Sequence, residues 1–312
     1  MKKKITVLLA ALCMMTLCVA GCGNSSSSST GVETKTGATA YPLTVTDCYG
    51  TEVTIESEPQ KIVSVAPSAT EIVYGVKAAE KLIARTDECN YPDGVSSKPS
   101  VGPYYEIGAE KIVSFKPDLV LVFDAMDEKV QKQVEAAGAK VVCYKSATLD
   151  ECMNNIVSIG EILNHNDDAK ALVDKLQSER AELKALCTKA EQQKSVFIDL
   201  GDYYSAGPGS LLDSMLTEIN VKNIAGDADT AWPVISQETI VSANPDVYIS
   251  LFTPAADILK VDAFKTVTAV KEQQVICHEL GSTDADMIQR PGTRIIEGLK
   301  VLAKDVYPEL IK

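Results

Sequence analysis

The feature that most constrains the fold is a segment at about residues 165–193 that contains neither glycine nor proline. It is rich in Ala, Leu, Glu, Lys and Gln, and Leu172, Leu176 and Leu183 recur in it at helical spacing. A helix of this length would extend about 40 Å, which is the width of a small domain. We therefore predict one long helix that bridges two lobes; the alternative is a surface helix of a single domain.

Short apolar runs alternate with helical patterns on both sides of this segment. Residues 119–123 precede a helical pattern at residues 127–137, and residues 195–200 precede one at residues 211–219. Such alternation is typical of βα units around a parallel sheet. The predicted fold class is therefore α/β, with a central parallel sheet in each of two lobes.

The predicted boundaries follow from this pattern. The N-terminal lobe covers residues 41–164 and opens with a β-hairpin of residues 43–46 and 53–55, where alternation and a glycine-bearing turn agree. The bridging helix comes next, and the C-terminal lobe covers residues 194–312.

An internal repeat supports one lobe on each side of the helix. The segment EKIVSFKPDLVLV, which starts at Glu110, recurs as ETIVSANPDVYIS from Glu238. Each copy predicts a short helix that is stopped by Pro117 or Pro245 and followed by a buried strand. A structural role is available for the glutamates, because the helix dipole favours a carboxylate in the first turn. It explains them only in part.

The first 21 residues have the order of a secretion signal. Three lysines precede an apolar run of about 16 residues, which is shorter than the roughly 20 that a membrane-spanning helix needs. We predict that residues 1–21 are a cleaved signal peptide. The polar, serine-rich stretch that follows has no apolar surface to bury, so residues 22–40 are predicted to form a disordered tether.

The end of the leader resembles a lipidation signal. Val19-Ala20-Gly21-Cys22 is similar to the lipobox of bacterial lipoproteins. The similarity implies that a lipid on Cys22 anchors the chain to the cell membrane, on the extracytoplasmic side. The alternative is an ordinary cleaved signal with a chance cysteine.

Composition excludes several classes of protein. Removal of residues 1–21 takes three of the 30 basic residues and none of the 43 acidic ones, which leaves a formal charge of −16. Nucleic acid is therefore not expected as a partner. With only His165 and His278 present, a multi-histidine metal site is excluded, and we expect no cofactor. Disulfides are neither required nor excluded among the cysteines of the body, which are Cys48, Cys89, Cys143, Cys152, Cys187 and Cys277.

Several stretches together resemble the cobalamin, siderophore and haem binding proteins of ATP-driven importers. Besides both repeats, they are KIVSVAPSATEI at residues 61–72, CNYP at 89–92, VG at 101–102, WP at 232–233 and RPGTR at 290–294. The resemblance covers nearly the whole mature chain. It implies two Rossmann-like lobes, bridged by one rigid helix, that close only slightly on a ligand. It also implies a monomeric substrate-binding lipoprotein that is not an enzyme.

The resemblance implies sites as well. One surface glutamate on each lobe, Glu110 and Glu238, would dock onto arginines of the transmembrane subunits; helix-end stabilisation is the alternative. Ligand would sit at the carboxyl ends of the strands, where rigid rings and arginines are candidates for contact. Structural roles remain the alternative for each member of this set, which is Tyr91, Tyr105 (or its neighbour Tyr104), Phe123, Tyr204, Trp232, Arg85 and Arg290.

The resemblance favours a corrinoid as ligand, with a ferric siderophore next. Haem comes third, because no cluster of His or Met residues is available as axial ligands. A surface-tethered α/β enzyme is one alternative, although the sequence has no nucleophile elbow, Walker loop or dinucleotide-binding glycine pattern. A tethered protein that recognises another macromolecule is the second alternative.

Overall fold

The computed structural model describes residues 32–311. The predicted signal peptide and Cys22 lie outside the described residues. Within residues 32–311, no helix is both long enough and apolar enough to cross a membrane.

The first element is the predicted hairpin. Strand β1 (Leu43–Thr46) pairs antiparallel with β2 (Glu52–Ile55), and Leu43 lies opposite Ile55. The Asp47 carboxylate closes the turn, because it accepts the backbone N–H groups of Tyr49 (2.9 Å) and Thr51 (2.8 Å). The hairpin prediction is confirmed.

The N-terminal lobe has a four-stranded parallel sheet with the order β4-β3-β5-β6. Its strands are β3 (Ile62–Ser64), β4 (Leu82–Ala84), β5 (Leu119–Phe123) and β6 (Lys140–Tyr144). Its helices are α1 (Pro67–Gly75), α2 (Ala109–Ser114), α3 (Glu128–Ala136) and α4 (Leu149–Ile162).

The long helix α5 spans Asn166–Cys187, so it is shorter than the predicted 165–193. It ends there because the N–H groups of Lys189 and Ala190 bond to carbonyls only three residues back, in a tightened turn. Its 22 residues extend about 33 Å. It packs against α4 and α1 of the first lobe, and against the last helix of the second.

The C-terminal lobe repeats the same strand order. Its parallel sheet runs β10-β9-β7-β8, so in each lobe the first strand pairs with the second on one side and with the third on the other. The strands are β7 (Ser195–Asp199), β8 (Lys222–Asn223), β9 (Val247–Ser250) and β10 (Val275–Cys277). The helices are α6 (Leu211–Glu218), α7 (Gln237–Ala243), α8 (Ala255–Ile258), α9 (Thr268–Lys271), α10 (Thr283–Gln289) and α11 (Ile295–Val306).

The internal repeat occupies the same place in both lobes. It forms α2 and β5 in the first and α7 and β9 in the second, so the predicted sequence of short helix and buried strand is confirmed. The repeated aspartates explain part of the pattern. Asp118 accepts the backbone N–H of Lys61 (2.9 Å), and Asp246 accepts that of Ser195 (2.7 Å). Each aspartate thus fastens the start of the first strand of its own lobe.

The two sheets share one hydrophobic core. Alternate residues of β5 face different layers: Leu121 packs in the largest cluster, whereas Val120 packs in a cluster of the first lobe alone. The largest cluster also contains Ile249 of β9, Leu176 of α5 and Leu299 of α11. Helices of both lobes therefore form a common layer between the sheets.

Residues 32–40 differ from the predicted disordered tether. The backbone N–H of Thr39 donates to Asn164 Oδ1 (2.7 Å), its hydroxyl donates to the Glu161 carbonyl (2.8 Å), and Lys35 pairs with the Glu161 carboxylate. These residues lie on the junction between α4 and α5. Backbone groups at helix ends lack partners within the helix, so a polar segment in an irregular conformation can form hydrogen bonds with them without burying apolar surface.

Candidate functional site

A cavity of about 280 Å³ lies between the lobes, at the carboxyl ends of β5 and β6. This is the edge of a parallel sheet at which ligands bind in open α/β folds. Both lobes line it: the first contributes Asp124, Lys145, Ser146 and Ala147, and the second contributes Gly209, Ser210, Leu211, Trp232, Gln289 and Pro291.

The second lobe provides an aromatic wall, formed by Trp232 and Tyr204. The two rings stack, with centroids 6.2 Å apart and planes inclined by 15°. Trp232 is 47% exposed and Tyr204 is 40% exposed, so both rings retain surface for a ligand. A side chain that is both rigid and apolar gives a large contact area at low entropic cost.

Backbone pairing holds this wall in place. The N–H of Ser205 donates to the Pro233 carbonyl (2.8 Å), and the N–H of Gly207 donates to the Ala231 carbonyl (2.9 Å). Glycine is required at position 207, because a Cβ there would lie 2.4 Å from the Thr230 carbonyl oxygen. The segment that carries Tyr204 and the segment that carries Trp232 are thus held together as a pair.

The first lobe provides a charged lip, formed by Asp124 and Lys145. Each follows its strand directly, and the Asp124 N–H donates to the Tyr144 carbonyl at the end of β6 (2.7 Å). Desolvation raises the pKa of Asp124, and the positive charge of Lys145 opposes that rise. The Asp124 carbonyl is fixed from behind by the Tyr49 hydroxyl, which donates to it at 2.7 Å.

A buried ion pair joins the lobes beside the cleft. Glu71 of α1 accepts two bonds from the guanidinium of Arg294, at 2.6 and 3.1 Å, and the Glu71 side chain is only 1% exposed. Gly292 permits this approach, since a Cβ there would lie 3.0 Å from Glu71 Oε2. The Tyr91 ring covers the pair, with its centroid 3.9 Å from the guanidinium carbon of Arg294.

The predicted arginines are engaged with protein groups. Arg290 pairs with Asp286 (2.8 Å) and donates to Asn90 Oδ1 (2.6 Å), next to the buried ion pair. Arg85 donates to backbone carbonyls of its own loop, including those of Thr86 (2.8 Å) and Ser96 (3.1 Å). Ligand contact by either arginine stays a prediction.

The remaining predicted residues are spread over the first lobe. Tyr105 is 78% exposed and lies in the turn before α2, outside the lining of the cavity. Its neighbour Tyr104 donates to the Phe123 carbonyl (3.1 Å). Phe123 itself is 4% exposed and packs against Tyr144, so its ring offers little surface to a ligand.

Glu110 and Glu238 have matching positions. Each is the second residue of its helix, α2 or α7, and each is exposed to solvent. The pKa of Glu238 is lowered by its own backbone N–H and by the Ser236 hydroxyl, so it is a carboxylate near neutral pH.

Sequence reasoning missed the lip residues Asp124 and Lys145. A signal was present for Asp124, which is the first residue after the predicted strand of residues 119–123, whereas Lys145 directly follows β6 as the structure defines that strand. It also missed the role of Glu71, whose partner lies 223 positions further along the chain. Within residues 32–311, no group of three or more His, Cys, Asp and Glu side chains is arranged to hold a metal ion.

Two α/β lobes of the same topology, around a shared helical layer and with a cavity at their strand ends, define a bilobal ligand-binding protein. Residues 62–278 match the family model described as "Periplasmic binding protein", and the chain belongs to that family. The fold class and the resemblance predicted from the sequence are thereby confirmed. Members of this family are solute-binding proteins rather than enzymes.

Three relatives illustrate the similarity. The chain is 33% identical to the "Uncharacterized ABC transporter substrate-binding lipoprotein YvrC" of Bacillus subtilis, over 99% of both chains. It is 24% identical to a "Cobalamin-binding protein" of Halobacterium salinarum, over 85% of this chain and 74% of that one. A solved structure from Staphylococcus epidermidis, described as a possible "iron-binding (periplasmic solute-binding) protein", is 30% identical with a TM-score of 0.72. It covers 80% of this chain and 100% of that one.

Proposed function

We propose that this protein is the substrate-binding lipoprotein of an ABC importer, and that it captures a corrinoid or a ferric siderophore between its lobes and delivers it to the permease. The observation that carries the proposal is the cavity at the strand ends, to which both lobes contribute and which the exposed Trp232 borders. The similarity to a substrate-binding lipoprotein over nearly the whole chain supports it.

A corrinoid is the preferred ligand. The stacked pair of Trp232 and Tyr204 offers a flat apolar wall to a large ring, while Asp124, Ser146 and Gln289 offer polar groups to its amide side chains. The cobalamin-binding relative supports this choice. At about 280 Å³ the cavity is smaller than a corrinoid, so part of such a ligand would remain outside it or the lobes would separate slightly.

A ferric siderophore is the second candidate, and the iron-binding structural relative supports it. Its iron arrives fully coordinated, so it needs no protein ligand to the metal. Haem is the third candidate, since the described lining of the cavity contains no His, Met or Cys side chain to serve as an axial ligand.

Retention of ligand tests the function. Protein purified from its own host is expected to carry one corrinoid or ferric siderophore per chain in native mass spectrometry. The Trp232→Ala variant is expected to lose it while remaining folded, because this side chain is half exposed. Retention of an unrelated compound by both proteins, or chemical conversion of the retained compound during incubation, would overturn the proposal in favour of another binding role or an enzyme.

Docking on the permease is proposed to use Glu110 and Glu238. The two exposed carboxylates occupy the same place in each lobe, so they can engage paired arginines on two transmembrane subunits. Reversal of both charges to Lys is expected to reduce uptake by at least tenfold and leave ligand affinity unchanged. The matched control is Glu128→Lys, an exposed first-turn glutamate of α3. Intact uptake with both charges reversed would contradict the assignment.

The membrane anchor is proposed to be a lipid on Cys22, which would place the protein, as a monomer, on the extracytoplasmic face of the cell membrane. The Cys22→Ser variant is expected to leave the membrane fraction and appear in the soluble extracytoplasmic fraction. A variant that stayed with the membrane would show that another segment anchors the chain.

A further inference from the structure

Two cysteines meet behind the charged lip of the cleft. Cys48 lies in the turn of the hairpin and Cys143 lies in β6, and their sulfur atoms are 3.0 Å apart. The backbone holds them together, because the N–H of Cys48 donates to the carbonyl of Cys143 at 2.8 Å. A disulfide has a sulfur–sulfur distance of about 2.05 Å, so the two atoms need to approach by only about 1 Å.

We infer that Cys48 and Cys143 form a disulfide that fastens the hairpin to the lip of the cleft. The bond would lie next to Asp124, whose carbonyl accepts from Cys143 Sγ (3.1 Å) and from the hydroxyl of Tyr49, the residue after Cys48 (2.7 Å). The crosslink would therefore fix the backbone of Asp124, whose carboxylate lines the cavity.

No other pair of cysteines in residues 32–311 has its sulfur atoms in hydrogen-bonding contact. The Cys89 thiol is hydrogen-bonded to the hydroxyls of Thr70 (3.1 Å) and Thr86 (3.3 Å). Cys152 and Cys187 are buried in the shared core. Cys277 is partly exposed in the second lobe. The pairing is thus specific to Cys48 and Cys143, and it assigns a structural role to two thiols that have none in ligand binding.

The reaction is thiol–disulfide exchange with an extracytoplasmic disulfide as oxidant. The Cys48 thiolate, from the more accessible of the two residues, attacks the oxidant and forms a mixed disulfide, which releases one thiol. The Cys143 thiolate then attacks Cys48 Sγ and releases the second thiol. The protein loses two electrons and two protons, and the oxidant disulfide is reduced to two thiols.

Two conditions govern this exchange. Burial raises the pKa of both thiols, so the rate is expected to increase with pH as the thiolate fraction grows. The inference rests on the proposed extracytoplasmic location in one respect, which is that an oxidising compartment supplies the oxidant.

Peptide mapping of the full chain in detergent tests the inference. After treatment with oxidised glutathione, we expect a linked peptide that contains Cys48 and Cys143 and a loss of two hydrogens from the intact mass. The bond closes a long loop of chain, so we expect the oxidised protein to melt about 5–10 °C above the dithiothreitol-reduced protein. Cys48→Ser and Cys143→Ser are each expected to abolish the linked peptide, the mass loss and the rise in melting temperature, whereas Cys277→Ser keeps all three.

Free thiols at both positions after this treatment, or a linked peptide that joins other cysteines, would overturn the inference. The double variant Cys48→Ser/Cys143→Ser provides a check that does not depend on oxidation, because its melting temperature should equal that of the reduced protein. Ligand binding by the reduced protein is measured separately. A missing disulfide would therefore leave the proposed importer function standing, and a missing ligand would leave the disulfide standing.

Discussion

The two lobes have the same topology but present different chemistry to the cleft. Both sheets have the same strand order, and both carry the repeat at the third strand. The first lobe ends its strands in the charged residues Asp124 and Lys145, whereas the second lobe presents Trp232 beside Tyr204. The topology thus determines where the cleft lies, and the loops after the strands determine what it can bind.

The lobes also differ from independent domains in how they are joined. Helices of both contribute to one core, and the buried pair of Glu71 and Arg294 crosses between them. Arg180 of the bridging helix adds a second link, since it pairs with Asp150 of α4 (2.5 Å) and with Glu218 of α6 (2.9 Å). We therefore expect the lobes to unfold together and to move little on binding.

The largest effect is expected from breaking the link between the lobes. Glu71→Ala leaves the Arg294 guanidinium buried without its partner, so the free energy of unfolding is expected to fall by about 3–5 kcal/mol. Urea unfolding of the variant and the parent protein measures this fall in the free energy of unfolding. The double variant Glu71→Met/Arg294→Met should be more stable than Glu71→Ala, because it leaves no buried unpaired charge.

The matched control for this prediction is Glu128→Ala, which removes an exposed ion pair with Lys132. It is expected to change the free energy of unfolding by less than about 0.5 kcal/mol. If Glu71→Ala behaved like this control, or if it produced two separate unfolding transitions, the view of the lobes as one cooperative unit would be wrong.

The next effect concerns the aromatic wall of the second lobe. Trp232→Ala is expected to weaken ligand binding by about 10- to 100-fold, because it removes most of the flat apolar contact area. Isothermal titration calorimetry with cyanocobalamin measures it. Tyr105→Ala serves as the control, since this aromatic side chain is also exposed, at 78% against 47% for Trp232, but lies outside the cavity lining. Equal losses for both variants would move the binding surface away from the cavity.

A smaller effect is expected at the charged lip of the first lobe. Lys145→Gln is expected to change affinity by about two- to fivefold, because an exposed charge is screened by water and salt. The direction identifies the sign of the nearby ligand group: weaker binding indicates an anionic group and tighter binding a cationic one. A change as large as that of Trp232→Ala would reverse the proposed division of roles between the lobes.

The smallest effect is expected from pH, in the second lobe. His278 Nε2 lies 2.7 Å from Asp305, and this hydrogen bond raises the pKa of His278 although burial opposes the rise. A raised pKa in the folded state stabilises the protein below the unfolded value, near 6.5, and this contribution is lost as pH rises through the folded value. The melting temperature should therefore decline slightly from pH 6 to pH 9, and less so in His278→Gln. An identical decline in both proteins would exclude this histidine as the cause.

The sequence predicted the fold well because strand and helix signals are local. Residues 119–123 and 247–250 were placed correctly as strands, since buried runs flanked by Pro-Asp and a helical pattern leave few alternatives. The predicted helix ended at residue 193, six residues beyond the observed end of α5 at Cys187. The prediction ran too far because Ala, Glu and Gln, which favour helices, continue in the sequence beyond the turn at Lys189. Helix α10 was missed altogether.

The site was predictable only in part. The position of Trp232 beside the cleft could be expected from the resemblance, and the lip residue Asp124 could be expected from the rule that strand ends meet at one edge. The engagement of Arg290 and Tyr91 with the interlobe ion pair could not be expected, because it depends on Glu71, which approaches only when both lobes are folded. Spacing along a chain carries no information on such contacts.

The central claim, that ligand binds in the cleft beside Trp232, is tested most directly by the fluorescence of this residue, the only tryptophan of the chain. Titration with cyanocobalamin or a ferric siderophore is expected to quench the emission with a break at one ligand per chain, beyond the inner-filter loss that free tryptophan shows at the same concentrations. Quenching that never exceeds this reference, for either ligand, would contradict the account.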